Sequence, residues 1–416
     1  MTEFEQRRLW MFAVIVLVGA VIFAVNRLAP APAPAPAIVD VPAPADLGIG
    51  DTALSPAQLG ESSSSDWAME GQNPARTRST PAALNLPLTM QRTIGGARGD
   101  DSGSPPVIAR GVALIELNDT LQAVDIASGR ERWTYAYRGV YVSPAVAGDQ
   151  VIVKVEAANE GRIVALDLDS GAERWSYVPR RLSSAASGYS GGHLTAPLIS
   201  DGLVYVAAGQ ELYALDLASG AERWVFALQD LVVAAPALDG EQIFISDFAF
   251  TYALDRRTGG LVWAQATAPA IHFAPVVADQ LVFIASGDAL VALRRSDGST
   301  AWNVAITGES LVPAGAADGQ VFAKSTVALY AFDVRDGRQT WSHRDLNFVS
   351  LPAVDTDRVF IVSGMGAATR IEALDTTSGE RVWSTDVASL APTAPVIAGR
   401  AIYVRQSDGQ VVSFWG

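Results

Sequence analysis

Histidine is the side chain that most often serves as a metal ligand or a general base, and the chain contains three: His193, His272 and His343. They fall at different places in the surrounding sequence, with no shared ring of histidines and no HExxH spacing. No Ser-His-Asp arrangement, phosphate-binding P-loop or dinucleotide fingerprint stands out either. The acidic pair Asp100 and Asp101 lies in a Gly- and Ser-rich stretch and is interpreted as solvated. The sequence therefore predicts no catalytic residue and no metal site.

Tryptophan is the other side chain whose spacing could carry chemistry. Each copy of a repeated unit, such as LYALDLASGAERW (212–224), places Trp after a fixed acidic position and a fixed glycine. The acidic position is Asp in every copy but one, where it is Arg294. An indole could stack on a quinone or a sugar, but such regular placement predicts packing between neighbouring sheets. The repeated tryptophans are Trp133, Trp175, Trp224, Trp263, Trp302, Trp341 and Trp383.

Each copy predicts a β-hairpin. The alternation of Leu212, Ala214 and Asp216 is typical of a strand with one apolar face. The Asp then caps a turn, the Gly supplies a positive φ, and the Trp lies on the return strand. A second pattern precedes each hairpin: a strand containing Pro, a tight turn and another strand, as in TAPLISDGLVYV (195–206). One unit is therefore four antiparallel strands.

The number of units predicts a closed ring. The Pro-containing pattern occurs once more often than the Trp hairpin, because the last unit, GQVVSFWG (409–416), stops where its turn should begin. LPLTMQRTIGG (86–96) precedes the first unit at the distance expected of the missing strand. The prediction is an all-β, eight-bladed β-propeller of four-stranded antiparallel blades, closed by an N-terminal strand. A linear solenoid would expose two sheet edges and leave the short last unit unexplained.

The beginning of the chain predicts one N-terminal transmembrane helix. Leu9 to Val25 is an uninterrupted apolar run that would span about 26 Å as a helix, at the short end for crossing a bilayer. Arg7 and Arg8 precede it, which places the N-terminus in the cytoplasm and the propeller in the periplasm or outside the cell. A cleaved signal peptide ending at Ala37 is the competing interpretation, but the run is longer than a usual signal core.

These features divide the chain into four segments. Residues 1–8 are a short cytoplasmic N-terminus, 9–28 the membrane anchor, 29–66 a linker rich in Pro, Ala and Ser, and 67–416 the propeller. The APAPAPAPA run in the linker favours polyproline II and predicts a semi-rigid spacer. The net charge of −14 argues against nucleic-acid binding. The lack of cysteine excludes disulfides, thiolate metal sites and a lipid-modified N-terminal Cys.

Extra residues in particular connections indicate where a partner could bind. The connection between Trp175 and Pro197 is longer than its counterparts, and two units gain residues near EAANEG (156–161) and SGMGAAT (363–369). In an up-and-down blade these connections emerge on the same face. Extra loops on a rigid scaffold often carry binding, although solvated loops also tolerate insertion. The candidate contacts on this face are Glu156, Asn159, Glu160, Arg180, Arg181, Tyr189 and His193.

The pattern strand–D-x-x-[ST]-G-x-x-x-W resembles the propeller repeat of the pyrroloquinoline-quinone (PQQ) type, and DWAMEGQNPARTRST (66–80) resembles the lead-in common in that family. The resemblance covers residues 66–416. The family includes quinoprotein alcohol and glucose dehydrogenases, the non-enzymatic outer-membrane-assembly lipoprotein BamB, and sensor domains fused to kinases. This chain lacks the adjacent cysteines typical of the alcohol dehydrogenases, and it has a predicted helix where the assembly lipoproteins have a lipidated cysteine.

The sequence therefore favours a non-catalytic, membrane-tethered propeller at the cell envelope. It would bind envelope proteins through the loop-bearing face, contact the membrane through its helix, and need no cofactor. The alternative implied by the resemblance is a PQQ-dependent oxidoreductase, which needs PQQ, Ca²⁺ and a carboxylate base in the central funnel. A glycan- or small-ligand-binding sensor is the third possibility.

Overall fold

The repeated units form eight successive antiparallel sheets in the computed structural model. The structure describes residues 66–95, 104–117, 120–136, 140–157, 160–180, 195–232, 234–268, 273–344 and 348–416. The eight-bladed propeller is thereby confirmed. The predicted transmembrane helix lies outside the described residues. Among those that are described, no helix is long and apolar enough to span a bilayer.

The strands of each blade are numbered one to four from the axis outward, because the first strands of neighbouring blades approach one another. The first strands of blades 1 to 8 are Val107–Ala109, Ala145–Ala147, Leu198–Ser200, Ala237–Asp239, Val276–Ala278, Val312–Ala317, Ala353–Val354 and Val396–Ala398. The second strands are Val112–Leu117, Gln150–Ala157, Leu203–Ala208, Gln242–Ser246, Leu281–Ser286, Gln320–Lys324, Arg358–Met365 and Ala401–Arg405. The third strands are Thr120–Asp125, Glu160–Asp167, Glu211–Asp216, Phe250–Asp255, Ala289–Arg294, Leu329–Asp333, Ala368–Asp375 and Val411–Trp415. The fourth strands are Glu131–Ala136, Glu173–Tyr177, Glu222–Ala227, Leu261–Ala266, Thr300–Ala305, Gln339–His343, Arg381–Asp386 and, for blade 8, Thr89–Ile94.

The eighth blade is closed by the N-terminal strand, as predicted. Thr89–Ile94 pairs antiparallel with Val411–Trp415, with Thr89 opposite Trp415 and Ile94 opposite Val411. The two ends of the propeller sequence are thus held in one sheet, so the ring is closed by hydrogen bonds between them.

The turn between the third and fourth strands is capped by the repeated Asp. In blade 3, Asp216 Oδ1 accepts hydrogen bonds from the backbone N–H and the hydroxyl of Ser219 at 2.9 and 2.7 Å. Gly220 has a φ of 71°, and Arg223 pairs with the same Asp at 2.6 Å. Side chains of the repeat itself therefore fix the hairpin.

The repeated indoles pack against the next blade. Trp175 donates from Nε1 to the Leu217 carbonyl of blade 3 at 2.8 Å, and it lies over Gly220. The acceptor always follows the repeated Asp position, and the six tryptophans with this bond are Trp133, Trp175, Trp224, Trp263, Trp302 and Trp341. Trp383 packs against the apolar cluster shared by blades 7, 8 and 1. These indoles thus lie between neighbouring blades.

Arg92 replaces tryptophan in the closing blade. It lies opposite Ser413, at the register position that tryptophan holds elsewhere. Its Nη1 donates to the Ile126 carbonyl of blade 1 at 2.9 Å, which is the carbonyl that follows the repeated Asp125. The interblade bond is therefore kept in blade 8 with a different side chain.

Gly220→Ala is expected to lower the free energy of unfolding by about 3 kcal/mol. A Cβ at this position would lie 2.5 Å from Trp175 Cε3 in a backbone with φ of 71°. Gly111 is the matched control, because its φ is 74° but a Cβ added there would have nothing within 4 Å. Gly111→Ala should therefore lower the free energy of unfolding only by the cost of placing a non-glycine residue at positive φ, about 1 kcal/mol. Urea unfolding of both variants checks this; equal losses would contradict a role for the Gly–Trp contact.

Candidate functional site

Residues 66–80, here called the axial segment, lie across the innermost strands of the ring. Backbone N–H groups of six first strands donate to carbonyls of this segment. The donor and acceptor pairs are Ile108 to Trp67, Val146 to Ala68, Leu238 to Pro74, Val277 to Ala75, Ala316 to Thr77 and Val354 to Arg78, at 2.8 to 3.0 Å. The lead-in of the sequence is thus an integral part of the centre of the propeller.

Arg76 fixes the axial segment to blades 3 and 4. Its side chain is buried, with 3% exposed. Nε donates to the Pro236 carbonyl at 2.5 Å, and Nη2 to the Ala196 carbonyl at 3.3 Å. Nη1 donates to the Glu70 carbonyl at 2.9 Å. Burial lowers the pKa of Arg76 to about 10, and the Glu70 carboxylate opposes that shift.

A second buried guanidinium shares the same carboxylate. Arg78 Nη2 lies 3.4 Å from Glu70 Oε1, and Arg76 Nη1 lies 3.6 Å from Oε2. Burial also lowers the pKa of Arg78. Blade 6 must carry glycine where this segment passes, because a Cβ on Gly315 would lie 2.7 Å from the Thr77 carbonyl. The centre of the ring therefore holds the chain's own backbone and two cations.

Three further cations, the buried Lys154 and Arg405 and the partly buried Lys324, bridge neighbouring blades close to the axis. They occupy the same position near the end of the second strand in blades 2, 6 and 8. Each donates to a residue just before the first strand of the next blade: Lys154 to the Thr195 hydroxyl, Lys324 to the Val349 carbonyl and Arg405 to the Ser104 carbonyl. Burial lowers the pKa of Lys324 to about 8. These contacts hold each of these blades to the next one in the ring.

The face that carries the second-to-third and fourth-to-first connections holds three of the predicted contact residues. Glu156 and Glu160 lie on the second and third strands of blade 2. Arg180 Nη2 pairs with Glu222 of blade 3 at 2.6 Å, and 63% of the Arg180 side chain is exposed. The other four lie outside the described residues: Asn159, Arg181, Tyr189 and His193. Binding at these seven positions stays a prediction.

The insertions in blades 2 and 7 lengthen hairpins. Gln150–Ala157 and Glu160–Asp167 have eight residues each, as do Arg358–Met365 and Ala368–Asp375. The second and third strands of the other blades have five or six residues. In blade 2 the added length also pairs with the short strand Val140–Tyr141. Part of the length that the sequence predicts as loop in blades 2 and 7 is thus β-sheet, which projects from one face.

His343 is the histidine that the structure describes, and its contacts do not form a catalytic triad. Its Nε2 lies 3.4 Å from Glu372 Oε2. Glu372 also accepts hydrogen bonds from the Ser363 hydroxyl and, at 3.3 Å, from Arg381. The carboxylate lies between the hydroxyl and the imidazole, whereas a triad needs the imidazole next to the hydroxyl. His193 and His272 lie outside the described residues.

Comparison with known proteins decides the family. The sequence pattern of the family described as "Outer membrane protein assembly factor BamB" matches residues 82–177, 159–249, 249–349 and 346–415. These matches cover nearly the whole propeller. The chain belongs to this BamB family. No curated protein sequence matches it.

Solved structures of BamB and of quinoproteins share the fold. BamB from Moraxella catarrhalis is 22% identical, with a TM-score of 0.60, over 79% of this chain and 100% of that chain. Quinohemoprotein alcohol dehydrogenase from Comamonas testosteroni is 15% identical, with a TM-score of 0.64, over 84% and 80%. A europium-containing methanol dehydrogenase is 12% identical, with a TM-score of 0.63, over 82% and 89%. At these identities the likeness establishes the propeller alone.

The described residues of this BamB-family chain do not fit the calcium site that the quinoprotein alternative requires. Calcium takes six to eight oxygen ligands, carboxylates among them. Across the described ranges, no three His, Cys, Asp or Glu side chains are grouped so that they could hold a metal. The axial segment presents Arg76 and Arg78 at the centre, and Glu70 is engaged by both.

Glu372→Gln is expected to reduce the acid sensitivity of the fold. Burial opposes ionisation of Glu372, but hydrogen bonds from His343 and Ser363 outweigh it and lower the pKa from 4.5 to about 2. Because this pKa is lower in the folded state, the carboxylate stabilises the fold above pH 4.5, and that contribution is lost as the pH falls towards 2. After solvent screening it is on the order of 2 kcal/mol.

Urea unfolding at pH 7 and pH 3 checks the acid effect. Wild type should lose most of this contribution between the two values, and Glu372→Gln should lose clearly less. Asp386→Asn is the control, because that carboxylate is 85% exposed and should leave the pH dependence unchanged. An identical pH dependence of the free energy of unfolding in wild type and Glu372→Gln would show that ionisation of Glu372 does not stabilise the fold.

Proposed function

We propose that the protein is a non-catalytic, protein-binding scaffold of the cell envelope. The observation that carries this proposal is membership of the BamB family by a chain whose added length is confined to one face of the ring. A rigid scaffold that varies only in the connections of one face is suited to binding a partner there. The lengthened hairpin of blade 2 and the exposed Arg180 at the junction with blade 3 support that face as the binding surface.

The proposal includes a membrane tether. Residues 9–28 would anchor the chain, residues 29–66 would act as spacer, and the propeller would lie in the periplasm or outside the cell. Extraction of membranes with alkaline carbonate tests the anchor. The full chain should stay in the membrane pellet, and a variant without residues 1–28 should not. Release of the full chain would argue for cleavage or for the lack of an anchor.

Crosslinking in cells, followed by mass spectrometry, tests the binding function. The full-length protein is compared with a variant that lacks residues 183–192 and with one in which Gly and Ser replace these residues at unchanged length. An envelope protein captured by wild type and lost from both variants supports the scaffold and its site. Loss from the deletion alone would show that length matters and side chains do not. Capture of the same envelope protein by wild type and both variants would show that residues 183–192 are not part of the binding site.

The oxidoreductase is the second candidate, because quinoprotein dehydrogenases share the fold. Dye-linked oxidation of alcohols or sugars after addition of PQQ and Ca²⁺ tests it. Saturable PQQ binding together with turnover would favour this candidate over the scaffold. A chain that captures no partner and binds no quinone would direct the search to glycans and small ligands.

A further inference from the structure

Blades 1 to 3 share an arginine that neutralises the Asp of the turn. It lies directly before the repeated Trp, where the register between the third and fourth strands shifts. Its guanidinium bends back to the Asp that begins the turn. The pairs are Arg132 with Asp125 at 2.6 Å, Arg174 with Asp167 at 2.5 Å and Arg223 with Asp216 at 2.6 Å.

Blade 4 keeps the carboxylate and lacks the arginine. Val262 occupies the position before Trp263, and Leu261 precedes it; they are 47% and 54% exposed. Asp255 is still held by the turn, because its Oδ1 accepts from the Thr258 N–H and hydroxyl, both at 2.8 Å. Within the described ranges, no ion pair reaches Asp255. Asp255 thus keeps the turn contacts of blades 1 to 3 without the arginine that pairs with Oδ2 there.

A groove of about 580 Å³ opens at this place between blades 4 and 5. Asp255 and Val262 line it together with Glu241, Gln280 and Arg295. These residues belong to the first-to-second and third-to-fourth turns, so the groove lies on the face opposite the lengthened hairpins. The groove is therefore separate from the loop-bearing face proposed to bind envelope proteins.

The cations around the groove are already paired. Arg295 Nη1 bonds Asp239, and Arg257 Nε lies 3.0 Å from Glu241. Arg256 bonds Glu241 at 3.1 Å and also Asp201. Each of these guanidiniums bonds a carboxylate other than Asp255; Arg257 lies close enough for its charge to act on Asp255 but makes its ion pair with Glu241. The groove thus combines the apolar side chain of Val262 with a carboxylate, Asp255, that forms no ion pair among the described residues, a combination that suits the aliphatic stem and charged head of arginine.

We propose that this groove binds an arginine side chain presented by an extended segment of a partner protein. The stem would pack on Val262, and the guanidinium would bond Asp255 Oδ2 as the chain's own arginines do in blades 1 to 3. The fourth strand of blade 4 is the free outer edge of its sheet. An extended segment can lie along such an edge, with an apolar neighbour of the arginine against Leu261.

Blade 7 provides the internal comparison. Val382 also precedes its tryptophan, and Asp375 keeps the same cap, with Thr377 and Ser378 N–H groups at 3.0 and 2.8 Å. In the blade that follows, the fourth strand is the N-terminal Thr89–Ile94, so its third and fourth strands are not joined by a turn like that of blade 5. The wall that Arg295 and its neighbours form beside blade 4 therefore has no counterpart there.

The inference rests on a protein-binding role, but it is tested separately from the loop-bearing face. The probe is a fluorescein-labelled peptide of alternating valine and arginine, titrated against the purified full chain in detergent at low salt and followed by anisotropy. A second peptide has citrulline in place of arginine, which keeps the shape and removes the charge. The variants are Val262→Arg, Asp255→Asn and the control Asp375→Asn.

Wild type should bind the arginine peptide at least about tenfold more tightly than the citrulline peptide. Val262→Arg rebuilds the pair of blades 1 to 3 and should weaken binding by about tenfold or more, as should Asp255→Asn. Asp375→Asn should stay within about twofold of wild type. Unchanged thermal unfolding shows that each variant is folded.

Three results would contradict the proposal that this groove binds arginine. They are equal affinity for both peptides, unchanged binding by Val262→Arg, and no binding by wild type. Capture of an envelope protein through residues 183–192 would stand whatever happens here. Failure of the groove and failure of the proposed function are therefore distinguishable.

Discussion

Removal of residues 1–95 is expected to abolish the folded propeller, whereas removal of residues 1–65 should leave its stability unchanged. The longer truncation takes away the axial segment, which accepts hydrogen bonds from the first strands of six blades. It also takes away Thr89–Ile94, so that Val411–Trp415 becomes an open edge. Buried N–H groups without acceptors cost about 1–3 kcal/mol each, so six of them cost about 6–18 kcal/mol, which is comparable with the usual stability of a domain, about 5–15 kcal/mol.

Circular dichroism and thermal unfolding of the two truncated proteins check this result. The variant without residues 1–65 is the matched control, because it keeps every contact that the structure describes. A third variant, without residues 1–80, keeps the closing strand and removes the axial segment. Because it loses the same six acceptors, it should be at most marginally stable and unfold far below the temperature of the control. A cooperative transition of the 1–95 truncation at the control temperature would contradict closure by the N-terminal strand.

The fold could be predicted from the sequence because its repeated contacts are short-range. Asp216, Gly220 and Trp224 determine one hairpin within nine residues, and the same spacing recurs in blades 1 to 7, with Arg294 in place of Asp in blade 5. The missing turn after the last unit also identified the closing strand. The role of Arg92 could not be predicted from the sequence, because its equivalence to tryptophan depends on its pairing with Ser413 in the closing blade.

The centre of the ring could not be predicted in the same way. Arg76 bonds to carbonyls of Ala196 and Pro236, 120 and 160 residues away, and no periodicity marks such contacts. The length of an insertion likewise does not tell a loop from a longer hairpin, as Gln150–Ala157 shows. The blade 4 groove did leave a signal, the change from Glu-Arg-Trp to Leu-Val-Trp at 261–263. That signal gains meaning only once Asp255 is seen beside a wall from blade 5.

Arg76→Ala is expected to lower the free energy of unfolding by about 4 kcal/mol. The substitution leaves three buried carbonyls without their donor and leaves Glu70 with Arg78 alone. Arg76→Lys should recover only part of the loss, because one ammonium cannot reach acceptors that lie on three sides of a planar guanidinium. Arg257→Ala is the control; its side chain is 70% exposed, and it should change stability by less than about 0.5 kcal/mol.

Urea unfolding of these three variants also bears on the choice between scaffold and oxidoreductase. If Arg76 holds the axial segment across the centre, its loss must be felt by blades 3 and 4, whose carbonyls it bonds. Hydrogen exchange should then show faster opening of Leu198–Ser200 and Ala237–Asp239 in Arg76→Ala than in wild type. Unchanged stability and exchange would mean that the segment does not secure the centre. The filled centre would then no longer count against the quinoprotein alternative, which would still need metal ligands that the described residues do not group together.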